Sequence, residues 1–346
     1  MSKKDLSVLK FKKFNSNNKI SLIYLNFKSY LEKFIKNKSF LVAVSGGPDS
    51  LALTSLSKIY SNEKKSNIFF ALIDHNIRSN SSQEAKAVKS LLKKKKINLN
   101  ILKNKEKIKK NIQNFAREVR YKLLLNFCEK HNVKFILTGH HREDQIETFL
   151  IRLSRGSGVQ GLSSMKKISI LKNKTKLVRP LLDEKKQDLT VIAKKYFGKI
   201  FKDPSNSNRK FLRTKIRGLI EQFEKSGIKH ERVISSINNL GSTRDTLNTY
   251  VSKIEKSCIT RNKKEVLINL KNFLAENEEI QLKIFGNCIK NISRSYYPPR
   301  AKKIINLLNK IKTNEKLRLT LGGCVIRKIH NNLAITKEKL KKSLKI

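Results

Sequence analysis

Apolar residues along the first half of the chain fall in blocks that switch between two spacings. FLVAVS (40–45) is a short apolar run closed by the turn GGPDS, and LALTSLSKIY (51–60) follows with apolar positions at helical spacing. IFFALIDH (68–75) repeats the strand pattern, QEAKAVKSLLKK (83–94) the helical one, and INLNIL (97–102) is a third candidate strand. NIQNFAREVRYKLLLNFCEK (111–130) predicts a long amphipathic helix, VKFILTGH (133–140) a strand and REDQIETFLIRL (142–153) another helix. Strands alternating with helices predict an α/β domain on a parallel sheet covered on both faces. Ligands of such sheets bind beyond the carboxyl ends of the strands. SGGPDS, DHNIR and TGHH all sit at such ends, so three loops are expected to converge on one site.

The alternation stops near Asp203-Pro204-Ser205-Asn206. A helical segment (210–224) leads to Gly227, and helical periodicity then dominates 230–257 and 272–312, interrupted by Pro298-Pro299. The tail KLRLTLGGCVIRKIHNNLAITKE (316–338) has turns at Gly322-Gly323 and Asn331-Asn332 and predicts a short β segment. A chain of 346 residues exceeds the roughly 250 that one core usually supports. The expected division is an α/β domain over 1–225, carrying the converging loops, and a mainly helical domain over 226–346.

Charge changes the picture most. Lys+Arg number 77 against 27 Asp+Glu, a formal net charge of +50. Residues 226–346 hold 26 basic and 9 acidic side chains and the remainder 51 and 18, so both parts are basic. Such a field favours a polyanion partner, nucleic acid first, although a lysine- and asparagine-rich coding bias also raises charge. No apolar run approaches the roughly 20 residues of a membrane span. The start, MSKKDLSVLKFKKF, lacks the apolar stretch of a secretory signal. Cys128, Cys258, Cys288 and Cys324 are far apart in sequence, with no CxxC pair, which fits neither a zinc ribbon nor a dithiol. A reduced cytoplasmic protein without a membrane is expected.

Ser45-Gly46-Gly47-Pro48-Asp49-Ser50 between strand and helix has the form of a phosphate cradle. Two glycines let backbone N–H groups approach an anion, and the helix N-terminus adds its partial positive charge. Ser45 and Ser50 supply hydroxyls, and Asp49 is placed to hold a magnesium ion bridging phosphates. A plain tight turn with Asp49 or Ser50 as helix cap gives the same string. There is no GxxxxGK followed by Ser or Thr, which disfavours a P-loop kinase or GTPase; the GxGxxG at 156–161 follows a helix, not a strand, and fails as a dinucleotide motif. Asp144 and Glu147, three apart, share a helix face, either as a functional carboxylate pair or as ordinary acids near a helix N-terminus. His140-His141 with Asp144 lacks a nearby third zinc ligand, so substrate positioning is the better reading. The chain has 17 Arg and 60 Lys; residues 1–77 contain no Arg and ten fall between Arg78 and Arg217. In a lysine-rich chain, arginine marks places that need a planar fork for phosphate or a base edge.

SGGPDS resembles the signature of the PP-loop ATP pyrophosphatases, which split ATP into AMP and pyrophosphate to adenylate a substrate. The order of DHNIR (74–78), NFAREVRY (114–121), TGHHREDQIETFL (138–150), RGSG (155–158), RPLL (179–182) and DPSN…FLRTKIR (203–217) narrows this. Together they resemble the bacterial tRNA(Ile)-lysidine synthetases over roughly residues 20–220, with a weaker likeness to that family's first appended domain and none expected to its further one. The family writes a paired Asp-Asp where this chain has Glu143-Asp144; the extra methylene moves a contact by about an ångström.

The resemblance implies ligation of L-lysine to carbon 2 of the wobble cytidine in the CAU anticodon of tRNA(Ile), at the expense of ATP and with Mg²⁺. It implies that Ser45, Gly46, Gly47, Pro48, Asp49 and Ser50 hold ATP or its pyrophosphate, with Asp49 placing the metal. Asp74 and His75 would face the nucleotide and Arg78 would neutralise phosphate. Asp144 and Glu147 would grip lysine, one of them accepting its proton. Arg117 or Arg120 is expected as the transition-state cation and Arg213 as a contact to the target nucleotide. His140, Arg155 and Arg217 complete the expected lysine- and tRNA-binding set. The competing readings are a tRNA thiolase of the same superfamily, disfavoured by the lack of CxxC pairs, and a non-catalytic RNA-binding protein.

Overall fold

β1 (Phe40–Val44) has Phe40, Val42 and Val44 in one hydrophobic core and Leu41 in a second on the opposite side of its sheet. Burial on both faces is why its sequence is a continuous apolar run rather than an alternating one. The computed structural model describes residues 18–77, 80–106, 112–201, 212–262, 265–295, 298–314 and 317–338. The chain forms two compact units, Met1–Gly241 and Ser242–Ile346.

In the first unit α1 (Asn18–Phe34) precedes β1; α2 (Pro48–Lys64), β2 (Ile68–Asp74), α3 (Ser81–Lys93), β3 (Leu99–Lys103), α4 (Ile112–Lys130), β4 (Phe135–Leu137) and α5 (Arg142–Leu153) then alternate as the periodicity predicts. A short helix α6 (Val159–Leu162), the strands β5 (Ile168–Ile170) and β6 (Lys176–Val178), and helices α7 (Lys186–Phe197) and α8 (Leu212–Lys225) complete it. Strand order is β3-β2-β1-β4-β6-β5, parallel throughout except β5 against β6. The larger core takes Leu51, Leu53, Leu56 and Tyr60 of α2, Val88 and Leu92 of α3, Leu189 and Ile192 of α7, and Phe27 and Leu31 of α1. The other face is covered by α4 through Leu124, Phe127 and Cys128. Each fully buried aliphatic or aromatic side chain of this kind contributes about 1.5–3 kcal/mol. β1 has β2 on one side and β4 on the other, so the winding direction reverses there and a crevice opens beyond their carboxyl ends. SGGPDS leaves β1 at that point and TGHH leaves β4.

The boundary expected at 225/226 and the division between the units at 241/242 differ by a short stretch. α9 (His230–Cys258) is one continuous helix, and its first turns belong with the first unit: Val233 and Ile234 pack on Ile146 of α5 and Ile216 and Ile220 of α8.

The second unit holds the rest of α9, β7 (Ile259–Arg261), β8 (Glu265–Asn269), α10 (Leu270–Leu274), α11 (Glu278–Ser293), α12 (Ala301–Thr313), β9 (Arg318–Leu321), β10 (Cys324–Ile329) and β11 (Asn332–Lys337). It is mainly helical with a terminal β meander, as the periodicity predicts. The sheet is larger than the tail alone, because β7 and β8 join it in the order β7-β8-β11-β10-β9, antiparallel throughout. Ile284, Phe285 and Ile289 of α11, Leu307 and Ile311 of α12, and Ile326, Leu333 and Ile335 of the sheet form its core. Among the described residues no helix is long and apolar enough to cross a membrane.

Candidate active site

The loop after β1 is closed by its own serines. Ser50 Oγ accepts from the Ser45 N–H at 3.1 Å and lies 3.0 Å from Ser45 Oγ, while it donates to the Gly47 carbonyl at 3.0 Å. Gly46 sits at φ +86°, where an added Cβ would meet Val88 Cγ2 at 2.7 Å, so this turn needs glycine. Pro48 starts α2 and no side chain caps it, which leaves the positive end of the helix open for an anion.

The loop after β4 lies directly against this turn. A Cβ on Gly139 would stand 2.8 Å from the Asp49 carbonyl oxygen and 3.1 Å from the Ser50 nitrogen, so the two loops touch through bare backbone. The next residues turn into α5 and carry the acids. His141 is buried; its Nδ1 is 2.9 Å from Glu143 Oε2, and its Nε2 is 3.6 Å from Asp49 Oδ2 and 3.5 Å from Asp144 Oδ2. The His141 N–H donates to Asp144 Oδ2 at 3.0 Å. Burial works against a charged imidazole here, but Asp49, Glu143 and Asp144 prevail and raise its pKa to about 10. Asp144 is pushed up by burial, with Glu147 and Asp49 adding like-charge repulsion that His141 only partly offsets. Glu147 is buried and ion-paired to Arg217, Oε1 to Nε at 2.5 Å. Among the described residues these four carboxylates are ion-paired with two cations, His141 and Arg217, which makes the pocket locally anionic in a chain of net charge +50. One oxygen, Asp49 Oδ1, is buried with no hydrogen-bond partner among the described residues.

Opposite in sign is the surrounding of His140. Its Nδ1 is 2.8 Å from Thr138 Oγ1, and its pKa is lowered well below 6.5 by burial and by the charges of Arg179, Arg117, Arg120 and Arg213. Arg117 lies over the Tyr121 ring at 5.1 Å. Arg120 is close enough to His75 for burial and its charge together to lower that imidazole's pKa, and His75 Nδ1 is a buried atom without a partner. An anionic pocket and an arginine cluster therefore meet at the phosphate turn, through consecutive residues His140 and His141.

Several expected residues take other places. Asp74 is turned inward: Oδ1 accepts from the Asn76 N–H at 3.0 Å and Oδ2 from Ser82 Oγ at 2.6 Å. Burial would raise its pKa, but these bonds, with the charge of Lys103, hold it below the usual value, and Asp74 closes the β2–α3 turn. Arg155 is exposed past the far end of α5, about 16 Å along the helix axis from Asp144. Arg78 and the DPSN string lie outside the described residues. Glu143, where the chain departs from the paired Asp, accepts the Lys186 N–H at the start of α7 at 3.1 Å in addition to holding His141. Its extra methylene serves that double reach.

Two residues of the site escape sequence reasoning. Arg179 is visible there only as part of RPLL; it is buried, with Nη1 donating to the Lys166 carbonyl and Ser169 Oγ at 2.6 and 3.0 Å. His141 is read in the sequence only together with His140, as a weak zinc candidate or a substrate-positioning residue, and its place among three carboxylates is not legible there; among the described residues no group of three His, Cys, Asp or Glu side chains is arranged to hold a metal ion.

A parallel sheet with its phosphate turn at the switch point and an acid-bearing helix beside it defines a PP-loop protein, and a profile of the PP-loop domain matches residues 20–223. The tRNA(Ile)-lysidine synthase of Wolbachia pipientis wMel is 36% identical over 307 residues, 87% of this chain and 71% of the relative. That of Orientia tsutsugamushi is 40% identical over 205 residues, 58% of this chain and 46% of the relative. Among solved structures the U34-tRNA thiolase NcsA of Methanococcus maripaludis, with its 4Fe-4S cluster, is similar in fold at TM-score 0.53 and 19% identity, covering 64% of this chain and 80% of that one. The chain belongs to the tRNA(Ile)-lysidine synthase family.

Proposed function

We propose that this protein ligates L-lysine to carbon 2 of the wobble cytidine of tRNA(Ile) with the CAU anticodon, consuming ATP and releasing AMP and pyrophosphate. In the first step cytosine O2 attacks the α-phosphorus and pyrophosphate departs. In the second the ε-amine of lysine attacks carbon 2, loses a proton and expels AMP. Both steps depend on positioning and electrostatics. The observation that carries the reading is the anionic pocket of Asp49, Asp144 and Glu147 beside the phosphate turn of a strongly basic chain. A cationic amino acid is the substrate such a pocket suits.

Ser45, Ser50 and the open end of α2 would hold pyrophosphate. Asp49 would hold Mg²⁺; its buried, unpartnered Oδ1 fits a cation ligand. When bound, the ion neutralises phosphate charge. Asp144, whose raised pKa makes it a better proton acceptor, would receive the proton of the ε-amine. Arg117, Arg120 and Arg213 would face the phosphate and target nucleotide from the His140 side. The protein would work in the cytoplasm on transcribed tRNA. Mass analysis of nucleosides from tRNA(Ile) transcript incubated with protein, ATP and lysine tests the reading: lysidine and one AMP per modified tRNA are expected, and AMP without lysidine, or neither, refutes it.

A further inference from the structure

The sheet of the second unit has one face on its core; the opposite face is exposed along β9 and at Arg327 of β10, and there it carries an electrostatic anomaly. Register pairs Arg327 of β10 directly with Arg318 of β9. Paired residues of neighbouring strands point to the same face, and Leu319 and Ile326 beside them point to the core, so both arginines project outward. Both are exposed, as are Thr320 and Ile329 on that face. Like charges directly opposite one another weaken a sheet. Among the described residues neither arginine has a carboxylate partner. Glu265 of β8, an acid on this face, is two strands from β10 and opposite Thr336. An edge strand such as β9 gains from a charge that blocks pairing with other chains. That accounts for Arg318, but not for Arg327 on an interior strand. Residue choice sharpens the point: the chain uses 60 Lys to 17 Arg, yet both positions carry the planar fork suited to phosphate oxygens. Ala334, on the same row across from Arg327, is small and fully buried, so the exposed part of this row is the arginine pair itself.

We propose that Arg318 and Arg327 form a cross-strand clamp for phosphates of an RNA backbone, making the open sheet face of the second unit part of the tRNA-binding surface. The inference rests on the tRNA-modifying function above and adds the face and the residues. Thr320 of β9 and Thr336 of neighbouring β11, on the same face, supply hydroxyls at its margin.

The test is tRNA binding by the full-length protein, read by fluorescence anisotropy across a salt series, with thermal midpoints measured alongside. Removing two phosphate-neutralising side chains in Arg318→Ala/Arg327→Ala should weaken binding at least about ten-fold at 0.1 M salt and flatten the log–log salt slope by about 1.4–1.8. Arg327→Glu places opposite charges across the strands, so its midpoint should hold or rise while its binding falls. Loss of binding with unchanged or higher stability supports the clamp. Wild-type affinity and slope in the double variant would overturn it, and aggregation without a binding defect would make the pair a guard of the sheet edge. A binding loss that follows a falling midpoint would assign a structural role and likewise overturn it. If the unaltered protein fails to bind tRNA at all, the proposed function fails first.

Discussion

Asp49 is the residue on which three relationships meet: it stands in the first turn of the helix behind the phosphate turn, its Oδ2 faces His141, and among the described residues its Oδ1 is buried without a partner. Asp49→Ala should cut AMP formation at least about 10²-fold with tRNA affinity retained, because the change removes the carboxylate proposed to place the metal and leaves the basic side chains intact; turnover near wild type would remove the turn from the chemistry. His141 provides a pH signature. Its folded pKa of about 10 lies above the ordinary 6.5, despite the burial that opposes it, because Asp49 and Glu143 hold the protonated ring. That stabilisation is complete below pH 6.5 and is lost as pH rises to about 10. In metal-free buffer the midpoint difference between the wild type and His141→Gln should therefore shrink across that window, and a constant difference would contradict the charged imidazole. Glu143→Asp shortens the reach between His141 Nδ1 and the Lys186 N–H. It should cost about 1 kcal/mol of stability and raise the KM for lysine more than that for ATP; equal rises would show that it acts on the whole site.

At the scale of elements, the site is a contact between two loops at the switch point of the sheet, and Gly139 is where they touch. Gly139→Ala would set a methyl 2.8 Å from the Asp49 carbonyl oxygen, against backbone that cannot rotate away. A displacement of this size at reacting groups should lower kcat by about 10²-fold with a smaller effect on folding; wild-type kcat would mean that the loops separate without consequence. Much of this arrangement is legible in the sequence. Four strands, the helices between them and the convergence of SGGPDS and TGHH follow from apolar period and strand-end logic alone. β5 and β6 are not legible, because three residues carry no period. β7 and β8 are hidden between long helices, and their place in the sheet is fixed by pairing with β11, far along the chain. Asp74 is ambiguous for a chemical reason: an acid at a strand end serves equally to bind a ligand or to close its own turn, and the bonds from the Ser82 hydroxyl and the Asn76 N–H are not visible in spacing. The Glu147–Arg217 pair joins residues 70 apart, a relation that spacing on one helix cannot reveal.

For the whole molecule, the cysteines and the charge make opposite uses of sequence distance. Cys258, Cys288 and Cys324 are remote in sequence yet share the second unit's core, where burial pushes the Cys288 thiol up to about 12. They are protonated core fillers, unlike the cluster ligands expected of a thiolase. Charge is spread through both units, since residues 242–346 carry 24 basic and 8 acidic side chains. A truncation meant to weigh the second unit's share should end after Gly241, not at 225. Val233 and Ile234 of α9 pack on Ile146 of α5, the helix that presents Asp144 and Glu147, and Glu231 meets Arg142 at 3.3 Å at the start of that helix. Cutting at 225 would strip these supports and confuse weakened RNA binding with a distorted site. The 1–241 chain should keep ATP binding, while its tRNA affinity falls and its log–log salt slope flattens by about 0.7–0.9 for each phosphate that the second unit had neutralised. An unchanged slope in a folded 1–241 chain would make the positive charge of the second unit a matter of composition, with no part in holding the tRNA.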